Sequence, residues 1–213
     1  MDNEKILIVV DMQNDFITGA LANKDAKAII PNVVSKINKY IENDDYIFFT
    51  KDTHYKDKEN HPNYLDTSEG KKLPIEHCIL GTKGHDFVEE IDSIIYHLPN
   101  NSEYTKPIFD EIHKNRFGSG DDIAIYIDEI CMDNGYENRN FDIEVIGLCT
   151  DICVINNAMI ANALCGQNGS VTVDAACCAG VTKESHDIAL QAMKACQIDI
   201  LNEGKEPWRK NYE

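Results

Sequence analysis

The chain has 213 residues, 43% of them hydrophobic, and a formal net charge of -17. That length supports a substantial core in a single domain spanning residues 1–213, and the hydrophobic content suits a globular protein. The charge argues against nucleic acid or an anionic membrane as a partner, and no run approaches the roughly 20 apolar residues that a membrane span needs.

Lys5 to Val10, KILIVV, reads as a strand covered on both faces and ends in Asp11. Asp25 to Asn43 is an amphipathic helix with Ile29, Ile30, Val33, Val34, Ile37, Tyr40 and Ile41 inward; Pro31 is expected in its first turn, or shifts its start to Ile30 or later. Tyr46 to Thr50 is the second strand. Lys51 to Gly84 shows no periodic element, and a loop of that length in a compact domain is usually functional. Asp86 to His97 reads as a helix, Pro107 to His113 as a third strand followed by Lys114, and Asp121 to Met132 as a helix. Ile143 to Leu148 is a buried strand, and apolar spacing from Ile152 to Gly166 gives a further helix. Ser170 to Asp174, Lys183 to Ala195 and Ile198 to Leu201 follow as strand, helix and strand, with a polar tail from Asn202 expected to fray. Strand alternating with helix predicts a doubly wound, mainly parallel six-stranded α/β sheet with helices on both faces.

The start Met1-Asp2-Asn3-Glu4 is acidic, and the apolar run behind it is shorter than a signal core, so a cytoplasmic location with reduced thiols is expected. Neither Cys177-Cys178 nor Cys149-x-x-x-Cys153 matches a usual zinc spacing, and Cys131, Cys165 and Cys196 read as core packing. Cys153 is different, because it falls in the first turn of a helix. Unpaired N–H groups and the positive end of the helix dipole there favour a thiolate and can hold a developing oxyanion. Cysteines at such a junction also serve as small fillers, so position alone leaves the two readings open.

Asp11 lies at a strand's carboxyl end, where open α/β sheets bind ligands, whereas Asp15 reads as a turn former without a role. Asp52, His54, His61 and His77 place a carboxylate and three imidazoles in the long loop. Asp52 and His54, at i and i+2 on extended backbone, point the same way and suit one metal ion. Loop histidines are also commonly solvated, and spacing does not separate the two.

Asp11-Met12-Gln13-Asn14-Asp15-Phe16, Asp52-Thr53-His54, His77-Cys78-Ile79-Leu80-Gly81-Thr82, Lys114 with Arg116-Phe117, and Gly147-Leu148-Cys149-Thr150-Asp151-Ile152-Cys153-Val154 occur in that order between Lys5 and Leu201. This pattern resembles the isochorismatase-like cysteine hydrolases, and among them the nicotinamidases. The resemblance implies an amidase that converts nicotinamide, or a similar small carboxamide, to acid and ammonia through a thioester, in NAD salvage. Cys153 would be the nucleophile, Asp11 the general base, and Lys114 the cation that lowers the thiol pKa and orients the carboxylate. It also implies a cis peptide at Leu148–Cys149 and an oxyanion hole from the N–H groups of Cys149 and Cys153.

Nicotinamidases bind a divalent ion that takes the pyridine nitrogen of the substrate. Asp52, His54 and His77 match its ligands, with His61, Asn63 or Glu69 as the fourth; the donor types suit zinc first, then iron or manganese. Phe16 and Leu148 would line the substrate pocket. The tryptophan that some members place shortly before the residue matching His77 is missing, with Tyr64 as a substitute, and the loop Lys56 to Lys72 is longer and more acidic. Competing readings are a metal-free relative acting on another small amide or ureido compound, and a redox or binding module pairing Cys149 with Cys153. Family members are often homo-oligomers, which is analogy alone.

Overall fold

A computed structural model describes residues 3–98, 103–134 and 140–212. Six strands, β1 (Glu4–Val10), β2 (Tyr46–Asp52), β3 (Ile108–Lys114), β4 (Phe141–Leu148), β5 (Ser170–Ala179) and β6 (Asp199–Leu201), form one sheet in the order β3-β2-β1-β4-β5-β6. Every pairing is parallel. Alternation along β1 sends Ile6, Ile8 and Val10 into one apolar cluster and Leu7 and Val9 into another, so both faces are covered. Helices α4 (Gly120–Asn134), α5 (Ile155–Leu164) and α6 (Lys183–Ala195) cover the first face. Helices α1 (Asn14–Ile17), α2 (Ala26–Glu42) and α3 (Glu89–His97) cover the second.

Five sequence expectations are corrected. Helix α2 starts at Ala26 with the exposed Pro31 inside it, past the first turn; only the one bond to Lys27 O is forfeited, and the apolar face of the helix outweighs that loss. Helix α3 begins at Glu89 rather than Asp86, because the carbonyls of Asp86 and Phe87 accept hydrogen bonds from Asn14. Strand β5 runs on through Ala175–Ala179, small residues without a β-branched signature that fit between the two helical layers. The tail does not fray, since Trp208 is 1% exposed and packs in the second cluster. Cys131 and Cys165 are buried as expected, whereas Cys196 is exposed at the end of α6.

Candidate active site

The order in which strands are added to the sheet reverses between β1 and β4, and ligands of open parallel sheets bind at the carboxyl edge of such a switch point. Val10 pairs with Gly147 there, and a side chain at residue 147 would put its Cβ 2.1 Å from Val10 O. With φ at +117°, Gly147 has a second reason to lack one. This close approach sets Asp11, at the end of β1, beside the turn that follows β4. Asp11 is wholly buried; its N–H donates to Thr50 O (3.2 Å) and its Oδ1 accepts from Thr50 Oγ1 (2.7 Å).

Lys114 reaches the same point from β3. Its Nζ lies 2.6 Å from Asp11 Oδ2, 3.4 Å from Asp52 Oδ1 and 3.4 Å from Cys153 Sγ. The structure thus brings Asp11, Lys114 and Cys153 together in a buried cluster. Burial disfavours charge on Lys114, but Asp11, Cys153 and Asp52 outweigh it and hold the amine as an ammonium. Asp52 is driven well below the carboxylate range: burial opposes this, while Lys114 and the two imidazoles prevail. For Asp11 burial is the largest influence and raises the pKa, with Lys114 opposing.

Cys153 departs from the expectation of a resting thiolate. Burial pushes its pKa well up, Asp11 and Asp52 push further, and Lys114 only partly opposes them. The turn also differs from a plain helical start: Thr150–Val154 is a π-type turn, and Cys149 O accepts from both Ile152 N (3.0 Å) and Val154 N (3.0 Å). A buried thiol beside a buried carboxylate is a proton donor next to its acceptor. The Leu148–Cys149 peptide is cis. All eight cysteines are free thiols, and Asn23 Nδ2 approaches Cys149 Sγ at 3.9 Å.

Asp52 turns its other oxygen outward from this cluster. Oδ2 lies 3.2 Å from His54 Nε2 and 3.3 Å from His77 Nε2, and ligand atoms of the three residues fall within 4.8 Å of one another. His77 Nδ1 is 2.8 Å from Ile75 O, so it carries the proton and leaves Nε2 as a lone-pair donor. His54 Nε2 is buried and makes no hydrogen bond. An acid and two imidazoles converging with an unsatisfied nitrogen fit a divalent metal ion. Glu69 Oε1 stands 3.8 Å and 3.9 Å from the two Nε2 atoms. His61 instead stacks on Tyr55 with centroids 3.8 Å apart, and Asn63 Oδ1 accepts from Asp57 N.

Phe16 sets its ring edge-on to His77 at 5.9 Å, and Leu148 is fully enclosed in the same apolar cluster as Phe16. Tyr64 packs against both imidazoles, at 4.5 Å and 4.9 Å, and donates its hydroxyl to Leu73 O. A cavity of about 270 Å³ opens beside them, lined by His54, Tyr55, His61, Tyr64, Glu69 and Arg116. Two residues without a sequence assignment support this region. Gln13 is fully buried and exchanges hydrogen bonds with the Asp52 backbone while donating to His85 O. Asp15, read as a turn former, accepts from Cys78 N at 2.7 Å and so anchors the residue next to His77. Both stand in the motif that opens at Asp11; only their contacts reveal what they hold.

A doubly wound sheet with an acid, an amine and a thiol meeting at its switch point has the makings of a cysteine hydrolase. The Isochorismatase domain matches residues 5–203, and the chain belongs to that family of hydrolases. The chain is 24% identical to the nicotinamidase/pyrazinamidase of Mycobacterium tuberculosis over 204 residues, 92% of this chain and 98% of that protein. The nicotinamidase/pyrazinamidase structure from Bacillus subtilis matches with a TM-score of 0.73 at 25% identity, covering 93% of this chain and 99% of that one. The zinc complex of Pyrococcus horikoshii pyrazinamidase matches at 0.67 and 28% identity, covering 93% and 98%.

Proposed function

We propose that the protein hydrolyses nicotinamide, or a closely similar small carboxamide, to the acid and ammonia through a thioester on Cys153. The observation carrying this reading is the contact of Lys114 Nζ with both Asp11 Oδ2 and Cys153 Sγ, in a family whose similar members include nicotinamidases. Asp11 takes the thiol proton as sulfur attacks the amide carbon, and Lys114 holds the resulting carboxylic acid in place. Backbone N–H groups of Cys149 and Cys153 receive the negative oxygen of the tetrahedral species. Asp11 returns the proton to the departing nitrogen, ammonia leaves, and a thioester remains. Asp11 then deprotonates water, which attacks the thioester and releases the acid with the thiol restored.

Asp52, His54 and His77 would hold a divalent metal ion, zinc first among the candidates, with Glu69 favoured over His61 and Asn63 as a further ligand. Such an ion supplies a Lewis-acid anchor for a ring nitrogen of the substrate. The unsatisfied His54 nitrogen favours this reading over a metal-free hydrolase. A panel of small amides assayed for released ammonia, with metal content measured on the same sample, tests the proposal. Nicotinamide turnover by the wild type and none by Cys153→Ala is expected; equal turnover by both proteins would refute it.

A further inference from the structure

The segment after β6 reaches back to the turn that carries Cys153. Glu206 Oε1 lies 3.2 Å from His186 Nε2, and the other ring nitrogen, Nδ1, lies 2.8 Å from Thr150 Oγ1. Thr150 and His186 are 0% exposed and Glu206 4%, so this Thr-His-Glu chain has no access to substrate and is not a second nucleophile. Trp208 encloses it, edge-on to His186 at 5.0 Å and bonded through Nε1 to Cys178 O. Gly180 makes room: a Cβ there would stand 2.7 Å from His186 Cβ.

The carboxylate anchors the chain. Burial opposes charge on Glu206, but Arg209, His186 and backbone N–H groups keep its pKa well below the usual range. A carboxylate only accepts, so His186 Nε2 carries a proton toward it, and the opposite nitrogen, Nδ1, shares a hydrogen bond with the Thr150 hydroxyl. Thr150 is the residue after Cys149 and the first of the π-type turn. Fixing its side chain fixes the start of that turn relative to α6 and the tail.

We propose that Glu206 is a positioning residue that acts through His186 and Thr150 to hold the Cys149–Cys153 turn in the geometry needed to receive an oxyanion. The kinetic consequence rests on the amidase reading; the structural one does not. Two measurements on the full chain separate them: hydrogen exchange of a peptide covering residues 148–155, and kcat and KM for nicotinamide. Glu206→Gln and Thr150→Val should each speed exchange in that peptide roughly tenfold, with Thr150→Ser restoring protection. Each should lower kcat about tenfold with KM little changed, a smaller loss than the roughly 10²–10³ of deleting an oxyanion donor. The double variant should lose no more than either single one, as members of one network do. Unchanged exchange in Thr150→Val overturns the proposal, as does a double variant whose kcat loss is the product of the single losses. If no amide is turned over, the amidase reading fails and the exchange result still decides this one. Should Glu206→Gln not fold, the Thr150→Val and Thr150→Ser pair decides it.

Discussion

Asp52 divides its two oxygens between two tasks, Oδ1 facing Lys114 and Oδ2 facing the imidazoles, and so ties the thiol cluster to the His54 and His77 pair. The residues around it push Cys153 in opposite directions, which gives a prediction with opposite signs in two assays. Asp11 raises the thiol pKa, so Asp11→Asn should speed iodoacetamide alkylation of Cys153 near neutral pH. The same substitution removes the proposed base and should slow amide turnover by about 10²–10⁴. Lys114 acts the other way, and Lys114→Ala should slow alkylation. Paired alkylation and ammonia-release rates check both; alkylation that Asp11→Asn leaves unaltered would contradict the assignment. These residues were legible in the sequence because each lies at the carboxyl end of a strand or in the turn after it. The upward push on the Cys153 thiol was not, since the burial that causes it comes from groups distant in the chain.

At the scale of elements, β1 and β4 announce themselves as apolar runs, and their contact depends on one residue that does not. Gly147→Ala should lower stability to urea by about 3 kcal/mol or prevent folding, because the added Cβ meets Val10 O within a sheet ladder. A stability within 0.5 kcal/mol of wild type, the ordinary range for a harmless change, would show that the two strands can separate there. The long loop after β2 carries the other device of the site. Asp52 and His54 could be paired from their spacing alone, but His77 joins them through a turn in which Asp15 anchors Cys78 N, a contact across 63 positions. His54→Ala should abolish retention of divalent metal through gel filtration while leaving the far-ultraviolet circular dichroism intact. Elemental analysis finding wild-type metal content in that variant would remove His54 from the site.

For the whole molecule, a buried histidine outside both clusters sets a pH window. Burial, with Lys51 and His113 adding to it, pushes His85 down to about 4 from its ordinary value of 6.5. Above pH 6.5 the ring is neutral in folded and unfolded chains alike. Between pH 6.5 and about 4 the unfolded chain binds a proton that the folded one does not, so stability falls as pH falls, and the loss is complete below about 4. The expected size is about 2 kcal/mol once solvent screening is allowed for, and His85→Gln should flatten the window in urea denaturation series. A variant with the same slope as wild type would assign the acid sensitivity elsewhere. Among the described residues no helix is long and apolar enough to cross a membrane.

Sequence alone determined the class of fold, since buried parallel strands need continuous apolar runs and their crossovers need amphipathic helices, and both are local patterns. It also marked Asp11, Lys114 and Cys153 as strand-end groups and Asp52, His54 and His77 as matched donors. Tertiary structure decided the rest: the order β3-β2-β1-β4-β5-β6, the meeting of three strand ends at one point, and the tail folded under Trp208 behind the turn. The reason is physical. Periodicity records which face of an element is apolar, while strand neighbours, burial-driven protonation and contacts such as that of Glu206 with His186 depend on where distant segments pack, and no local pattern encodes that.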